Sequence, residues 1–371
     1  MRLVYFSPVS WYSFAQRPHK FVEWFHKQTG GEALWIEPYP TRLPRWSDAK
    51  SLRHKVGHMS TQRPTWLTVA RPVCLPIEPL MGLAQLNSWL WTDCVAEIKG
   101  FAARGHCILG IGKPSQLALQ LLRSQHFHSS FYDAMDDFSA FFSGLSRVAM
   151  ARTEQAIANS VTHILTSSTP LFQRWSQDNK RPHMARNGLD PLVLPTQVSS
   201  PMHKTETILG YVGTLGDWFD WDWVIALARI APSCRVLLIG PVFKSPAQKL
   251  PPNIELRGPL QHAQALQAMS LFDIGLIPFQ LSRLTASVDP IKFYEYRALG
   301  LPVISTKFGE MAHRQKEAGT FIFDPRDPLH ALVGLLDAAA RYQSNAQEKS
   351  AFIEANSWEA RFTPLRPLFS D

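Results

Sequence analysis

Apolar runs alternate with amphipathic stretches along the whole chain. Short apolar runs bounded by turn residues are typical of buried strands, and apolar residues three or four apart are typical of helices. The order strand, helix, strand indicates parallel sheets covered by helices. Strands are predicted at 3–6, 33–36, 107–111, 131–132, 161–166, 208–213, 235–240, 254–256, 273–278, 302–305 and 320–323. Helices are predicted at 18–25, 115–123, 144–160, 219–230, 261–270, 290–299 and 328–343.

The alternation is interrupted at residues 191–206, which are rich in Pro, Ser and Thr and indicate a linker. A chain of 371 residues is long for one domain and sufficient for two. We therefore predict two doubly wound α/β domains, at 1–190 and 207–355, and a last helix over 356–371. Ligands of such sheets bind at the carboxyl ends of the strands.

The composition indicates a globular protein, with 45% hydrophobic and 18% charged residues. No apolar run approaches the length of a membrane-spanning helix. The N-terminal residues 1–8 predict a buried strand rather than a signal peptide. The four cysteines have no Cys-x-x-Cys spacing, which argues against a zinc site or a disulfide framework and favours the cytoplasm.

The net charge of +8 comes from the first half of the chain. Residues 1–190 contain 21 Lys and Arg against 13 Asp and Glu, whereas residues 191–371 contain 17 of each. Residues 39–71 hold seven of these cations, one carboxylate and two tryptophans, a composition typical of contact with an anionic membrane or acceptor. The candidate contacts are Arg42, Arg45, Arg53 and Lys55. A solvated basic loop is the competing interpretation, and nucleic acid is disfavoured because no binding motif accompanies the charge.

One predicted helix carries the strongest local signals for a ligand. Asp289 is a good N-cap, Pro290 suits the first helical position and Gly300 can end the helix. Lys292 and Glu295 lie three residues apart, on one face of the first turn. A helix N-terminus and a lysine suit phosphate, and a carboxylate suits ribose hydroxyls, so the pattern fits a nucleotide site. An ordinary surface Lys–Glu pair is the competing interpretation.

Several short motifs occur in a fixed order along the chain. They are Gln16-Arg17-Pro18-His19, Trp35-Ile36-Glu37-Pro38, residues 132–138, Asn187-Gly188-Leu189-Asp190, residues 211–215, residues 273–279 and residues 289–303. In this order they resemble the GT-B glycosyltransferases, and more narrowly the GT4-like bacterial enzymes of cell-envelope and exopolysaccharide assembly, including teichuronic-acid glycosyltransferases. The resemblance covers most of the chain. It implies two Rossmann-like domains that face each other across a cleft, with the last helix returning to the first domain.

The resemblance also implies roles for individual residues in a donor-nucleotide site. Glu295 would bind the ribose hydroxyls and Lys292 the diphosphate. The other implied donor residues are Gly213 and Thr214 beside the diphosphate, the Arg257-Gly258 turn at the base, and Tyr294. No cofactor or metal is implied, because helix dipoles and basic side chains neutralise the leaving diphosphate.

Two departures from the family pattern bear on the chemistry. Ser287 stands where many relatives have a second glutamate, so the choice between inversion and retention stays open. Thr214 and Phe219 stand where many relatives have an arginine and a lysine. Neutralisation of the diphosphate would then depend more heavily on Lys292.

An inverting transfer needs a general base, which the first domain would supply. Asp133, Asp136 and Asp137 follow a strand-like run, and crowded carboxylates raise one another's pKa toward neutrality. We expect Asp137 to be the base, with Asp136 next, although helix capping is the competing interpretation for each. His19 and His106 are further candidates.

The expected activity is transfer of a sugar from a nucleotide-activated donor, with a UDP-sugar favoured. The expected acceptor is a saccharide or lipid-linked saccharide of bacterial surface polysaccharide synthesis, at the inner face of the membrane. One alternative is a nucleotide-sugar epimerase of the same fold, and another is a non-catalytic nucleotide-sugar-binding or scaffold protein. A phosphorylase is disfavoured because no lysine motif for pyridoxal phosphate is present.

Overall fold

A computed structural model describes residues 1–43, 63–80, 84–177, 181–195 and 206–369. The chain forms two compact units. The first unit comprises Met1–Ser167, Leu171–Ala185 and Phe362–Asp371, and the second comprises Ser168–Pro170 and Arg186–Arg361. Both units are α/β, and both contain a parallel sheet with helical connections, as the sequence predicted.

The first unit is built on a seven-stranded parallel sheet in the order β3-β2-β1-β4-β5-β6-β7. Its strands are β1 (Arg2–Phe6), β2 (Glu32–Ile36), β3 (Leu67–Ala70), β4 (Cys107–Ile111), β5 (Ser129–Ala134), β6 (His163–Thr166) and β7 (His183–Met184). Its helices are α1 (Arg17–Thr29), α2 (Ala84–Leu90), α3 (Thr92–Ala102), α4 (Gln116–Leu122), α5 (Gly144–Ser160) and most of α6 (Thr169–Ser176). The strand order reverses between β1 and β4, which makes the carboxyl ends of these strands a switch point.

Residues 362–369 contribute to the core of the first unit. Phe21 of α1 has its ring centroid 5.3 Å from that of Phe362 and 6.0 Å from that of Phe369. Phe131 of β5 lies 5.3 Å from Phe369, so the three segments share one aromatic cluster. The strands beneath this cluster are buried on both faces, which explains why they are nearly continuous apolar runs.

The second unit is built on a six-stranded parallel sheet in the order β10-β9-β8-β11-β12-β13. Its strands are β8 (Thr207–Val212), β9 (Cys234–Ile239), β10 (Ile254–Arg257), β11 (Ile274–Ile277), β12 (Val303–Thr306) and β13 (Thr320–Phe323). Its helices are α7 (Trp221–Ile230), α8 (His262–Met269), α9 (Ile291–Ala298), α10 (Ala331–Arg341), α11 (Ala346–Asn356) and α12 (Trp358–Phe362), whose last residue belongs to the first unit. The order reverses between β8 and β11, and the carboxyl ends of these two strands form the switch point.

Helix α9 ends as the sequence predicted. Gly300 adopts a left-handed φ of +81°, a conformation that favours glycine. Its N–H donates to the carbonyl of Arg297, and the N–H of Leu301 donates to the carbonyl of Tyr296, both at 3.0 Å. These two bonds form a Schellman motif, which stops the helix immediately before β12.

Candidate functional site

Glu295 is the centre of a charged cluster at the start of α9. Its carboxylate is 6% exposed, with Oε2 2.7 Å from Lys292 Nζ and Oε1 2.8 Å from His262 Nε2. Burial raises the pKa of Glu295, but Lys292 and His262 outweigh burial, so the pKa lies below its ordinary value. Glu295 is therefore ionised at neutral pH and acts only as a hydrogen-bond acceptor.

The fold brings this cluster together from two helices. Lys292 and Glu295 meet because they lie three residues apart in α9. His262 is the first residue of α8, whose start is closed by a capping box between Gln261 and Gln264. Helices of a parallel α/β sheet start near the carboxyl ends of the strands that precede them, so α8 and α9 both start at that edge.

Sequence reasoning did not find His262, because its partner Glu295 comes 33 residues later. The position of His262 along the chain nevertheless indicates a place near the ligand. His262 begins the helix that follows β10, and the start of a helix after a parallel strand lies at the ligand-binding edge of the sheet.

The turns after β8 and β9 pack closely against each other. Gly213 and Gly240 have φ angles of +155° and +147°, and a Cβ on Gly240 would lie 2.0 Å from the carbonyl oxygen of Gly213. The Tyr211 hydroxyl donates to the carbonyl of Thr214 at 3.0 Å. Gly213 and Thr214 are thus held at the end of β8, beside the switch point.

Arg257 is the last residue of β10 and Gly258 follows it, at the same edge of the sheet. The Arg257 guanidinium is partly exposed, and its Nε donates to Oε1 of Glu255 at 2.6 Å. A Cβ on Gly258 would meet no atom within 4 Å, so the backbone there is open to approach. The sequence-predicted residues therefore all lie at strand ends or near the start of α9: Gly213, Thr214, Arg257, Gly258, Lys292 and Glu295.

Tyr294 has a different place from the one expected. Its side chain has no exposed surface. Its hydroxyl donates to Oδ2 of Asp289 at 2.8 Å and accepts from Arg314 Nη2 at 2.6 Å. These contacts give Tyr294 a structural role inside the second unit and leave it no surface for a nucleotide.

The expectation that Asp289 caps α9 was wrong. The helix begins at Ile291, with Pro290 at the N-cap position. The Asp289 carboxylate instead accepts from Arg314 Nη2 at 2.7 Å and from the backbone N–H of Asn187 at 2.9 Å. Burial raises the pKa of Asp289 while Arg314 opposes the rise. The buried pair therefore anchors the start of α9 to two distant segments.

Asp133 is a structural residue at the end of β5. It has no exposed surface, and its Oδ1 lies 2.7 Å from Arg17 Nη2. Arg17 Nε also donates to the same oxygen at 3.0 Å, and the Tyr5 hydroxyl donates to Oδ2 at 3.0 Å. A carboxylate that is paired in this way is not free to accept a proton from a substrate.

Asp137 is also held by neighbouring side chains. Its Oδ1 lies 3.1 Å from Arg174 Nη1 and accepts from the Ser139 hydroxyl at 2.7 Å. Arg174 also donates through Nη2 to Oε2 of the buried Glu154 at 2.8 Å. Asp137 is thus one arm of an ion-pair network on the first unit.

Asp136 is less constrained by neighbouring side chains than Asp133 and Asp137. It is partly exposed, and its carboxylate has no hydrogen bond or ion pair with the residues that the structure describes. Burial raises the pKa of Asp136 to about 7, with Asp133 and Asp137 adding to the rise and Arg17 opposing it. Because a base acts best when its pKa is near the working pH, the structure favours Asp136 over Asp137.

The two candidate histidines are not placed for catalysis. His19 is buried, its Nε2 lies 3.1 Å from the carbonyl oxygen of Trp11, and burial lowers its pKa to about 4. His106 precedes β4 and stacks on His128 with ring centroids 4.3 Å apart, at the amino end of the sheet. Ligands of such sheets bind at the opposite end.

The predicted basic surface is described only in part. Arg42 donates through Nη1 to the carbonyl of Leu43 at 3.1 Å. Arg45, Arg53 and Lys55 lie outside the described residues. Across the ranges that the structure describes, none of the helices combines the length and apolar character needed to cross a bilayer. In those same ranges, no group of three or more His, Cys, Asp or Glu residues is arranged to hold a metal ion.

Two doubly wound parallel sheets in this order define the GT-B fold. The chain is similar in structure to sucrose-phosphate synthase from Thermosynechococcus elongatus, with a TM-score of 0.70 and 14% identity over 100% of this chain and 98% of that one. It is also similar to Anabaena HepE in complex with UDP, with a TM-score of 0.63 and 14% identity over 99% of both chains. At these identities the similarity establishes the fold.

The chain is also similar in sequence to one curated protein over part of its length. The protein named "Putative teichuronic acid biosynthesis glycosyltransferase TuaH" of Bacillus subtilis (strain 168) is 25% identical over 207 residues, which are 50% of this chain and 52% of TuaH. The chain thus spans about half the length of this curated relative. No protein-family model matches the chain.

Proposed function

We propose that this protein is a glycosyltransferase that uses a nucleotide-activated sugar, with a UDP-sugar favoured. The acceptor is a saccharide or lipid-linked saccharide of bacterial surface polysaccharide synthesis. The observation that carries the proposal is the cluster of Lys292, Glu295 and His262 at the ligand-binding edge of the second sheet. The GT-B fold, the UDP bound to HepE and the name of TuaH support it.

The cluster fits the ribose and diphosphate of such a donor. Each Glu295 oxygen accepts one protein donor and keeps a lone pair, so the carboxylate can accept the two ribose hydroxyls. The ammonium of Lys292 has three N–H donors and a 25% exposed side chain, so it can contact Glu295 and a phosphate together. The N-terminus of α9 adds its partial positive charge.

The same groups serve the departure of the diphosphate. Negative charge grows on the leaving phosphate as the bond between the anomeric carbon and the phosphate oxygen breaks. Lys292 and the start of α9 are preorganised to stabilise this charge. Asp136 of the first unit is proposed to take the proton from the acceptor hydroxyl, since its pKa lies near 7.

The first half of the chain is proposed to hold the protein at an anionic membrane surface or acceptor. Its excess of eight positive charges, concentrated in residues 39–71, supports this proposal. Attraction of this kind falls as ionic strength rises.

Donor binding is tested first, by thermal unfolding with UDP, GDP and TDP and with their glucose conjugates. A ligand of the native state raises Tm, and we expect UDP and a UDP-sugar to give the largest shifts. A protein that no nucleotide stabilises would contradict the proposal.

Turnover is tested next, by release of UDP from a stabilising UDP-sugar with a panel of surface-polysaccharide acceptors. Acceptor-dependent release supports the transferase. Isomerisation of the sugar without an acceptor would indicate the epimerase, and binding without turnover would indicate the non-catalytic alternative.

A further inference from the structure

Two helices fix the carboxylate of Glu295 from opposite ends of the charged cluster. Lys292 donates to Oε2 from the same helix, and His262 contacts Oε1 from α8, 33 residues earlier in the chain. The contacts of 2.7 and 2.8 Å leave one lone pair on each oxygen. His262 is 41% exposed, so its imidazole stands nearer to solvent than the carboxylate.

We infer that His262 positions Glu295 to recognise both hydroxyls of a ribose, so that the site selects ribonucleoside diphosphate donors over 2′-deoxyribonucleoside diphosphate donors. The inference rests on the proposed function, in which Glu295 binds the donor ribose. It adds a positioning residue, His262, and a discrimination against 2′-deoxy donors to that function.

A glutamate needs this second partner to hold its orientation. Rotation about the last side-chain bond of glutamate is broad, so one contact does not fix the plane of the carboxylate. Lys292 is a poor clamp because lysine is a point charge on a flexible chain. A ring nitrogen from a separate helix supplies the second fixed point, and Oε1 and Oε2 then face a ligand with defined directions.

Donor binding increases the contribution of His262 to the orientation of the Glu295 carboxylate. Lys292 serves two anions once a diphosphate is present, and its contact with Glu295 weakens as the phosphate takes part of its hydrogen bonding. His262 has no such competing anion among its described contacts. It therefore keeps the carboxylate in place while Lys292 also contacts the diphosphate.

Selectivity follows from the burial of Glu295. A 2′-deoxyribose leaves one lone pair of a buried, ionised carboxylate without a donor. Sites built to bind a hydroxyl discriminate strongly against analogues that lack it, because the unpaired polar group is costly.

The test compares the affinities of UDP and 2′-deoxy-UDP by calorimetry in the full chain and its variants. We expect the unmodified protein to bind UDP roughly tenfold or more tightly than 2′-deoxy-UDP. His262→Ala should reduce this affinity ratio to about threefold or less, mainly by lowering the affinity for UDP. His262→Gln, which keeps a side-chain donor, should recover part of it. Gln267→Ala, an exposed position on the same helix, is the matched control and should leave the ratio unchanged.

The outcomes separate the two proposals. Absence of UDP binding in the unmodified protein would overturn the proposed function. UDP binding without preference over 2′-deoxy-UDP would overturn the inference alone. A His262→Ala protein that keeps the ratio, or that loses both affinities equally, would also overturn it, since equal losses indicate a merely structural role.

Discussion

Lys292 and Glu295 are ion-paired across the first turn of α9, with Nζ 2.7 Å from Oε2, although Glu295 has almost no exposed surface. A buried carboxylate loses its hydration, and that loss makes its partners far more important than those of an exposed pair. The pair therefore does more than support the helix. It keeps an anion in place at the edge of the sheet where a ligand binds.

Glu295→Gln should lower the affinity for UDP by roughly 10- to 100-fold, because the amide presents one acceptor and one donor where ribose needs two acceptors.

Lys292→Met should lower the affinity for UDP by a similar factor. It should lower the affinity for uridine much less, because uridine lacks the diphosphate. Calorimetry with both ligands measures this. Lys316→Met, an exposed position on the second unit, is the control. Unchanged UDP affinity in Lys292→Met would show that the ammonium does not contact the phosphates.

Asp136→Asn should lower kcat by about 10²- to 10⁴-fold and leave the UDP affinity unchanged, since a general base acts on the acceptor. Asp137→Asn should have the smaller effect. In the unmodified protein, kcat/KM should rise with pH through about 7, because the base is active only after Asp136 loses its proton. An anomeric product analysis by NMR decides between inversion and retention, which the sequence leaves open. Inversion is the outcome that a general base requires, and retention would remove the role of the base without removing the transferase.

Gly240→Ala should lower the free energy of unfolding by at least about 1 kcal/mol and weaken UDP binding. The added Cβ would lie 2.0 Å from the Gly213 carbonyl oxygen, so the turn after β8 has to move. Gly334→Ala is the matched control. A Cβ there meets no atom within 4 Å in α10, and the change should stabilise by about 0.5–1 kcal/mol. Denaturant unfolding and calorimetry measure the two effects.

Arg314→Met should destabilise the second unit by about 3–5 kcal/mol, because it leaves the buried Asp289 carboxylate without its cation. Joint replacement with Asp289→Leu should recover much of the loss, since the uncompensated charge is removed. Arg326→Ala breaks an exposed pair with Asp324 and should change the unfolding curve little. Equal losses for Arg314→Met and Arg326→Ala would contradict the importance given to burial.

We expect weaker cosedimentation with vesicles that contain anionic lipid when four basic residues are neutralised together: Arg42, Arg45, Arg53 and Lys55. Each charge near the membrane surface contributes roughly 1 kcal/mol to the binding free energy. Neutral vesicles provide the reference, and raised salt should weaken binding in the same way. Undiminished binding of the neutralised protein to anionic vesicles would exclude this segment as the membrane contact.

The sequence predicted many of the elements whose side chains face a core, but not all of them: helix α3 was missed although Ile98, Phe101 and Ala102 are buried. Helix α5 was predicted at its observed bounds, Gly144–Ser160, because six of its residues are buried at helical spacing. Helix α11 was missed because none of its residues is fully buried and only Phe352 and Ile353 pack partly against the core, which leaves a weak apolar pattern. Strand β3, only four residues long, was also missed.

The same distinction holds at the candidate site. The contact between Lys292 and Glu295 was predictable because it is local. The partners His262 and Arg314 are 33 and 25 residues from Glu295 and Asp289, and only the folded sheet brings them together. The preference for Asp136 over Asp137 likewise depends on burial and on neighbours that the sequence does not place.

The aromatic cluster that joins Phe21 to Phe362 and Phe369 has a consequence for the order of events at the ribosome. Domains generally fold in the order in which they are synthesised. Here the first unit lacks two rings of its own core until every residue of the second sheet has been made. The part of the protein that is translated first is therefore expected to be the last to reach its native packing, and a nascent chain released before residue 362 leaves it unfinished.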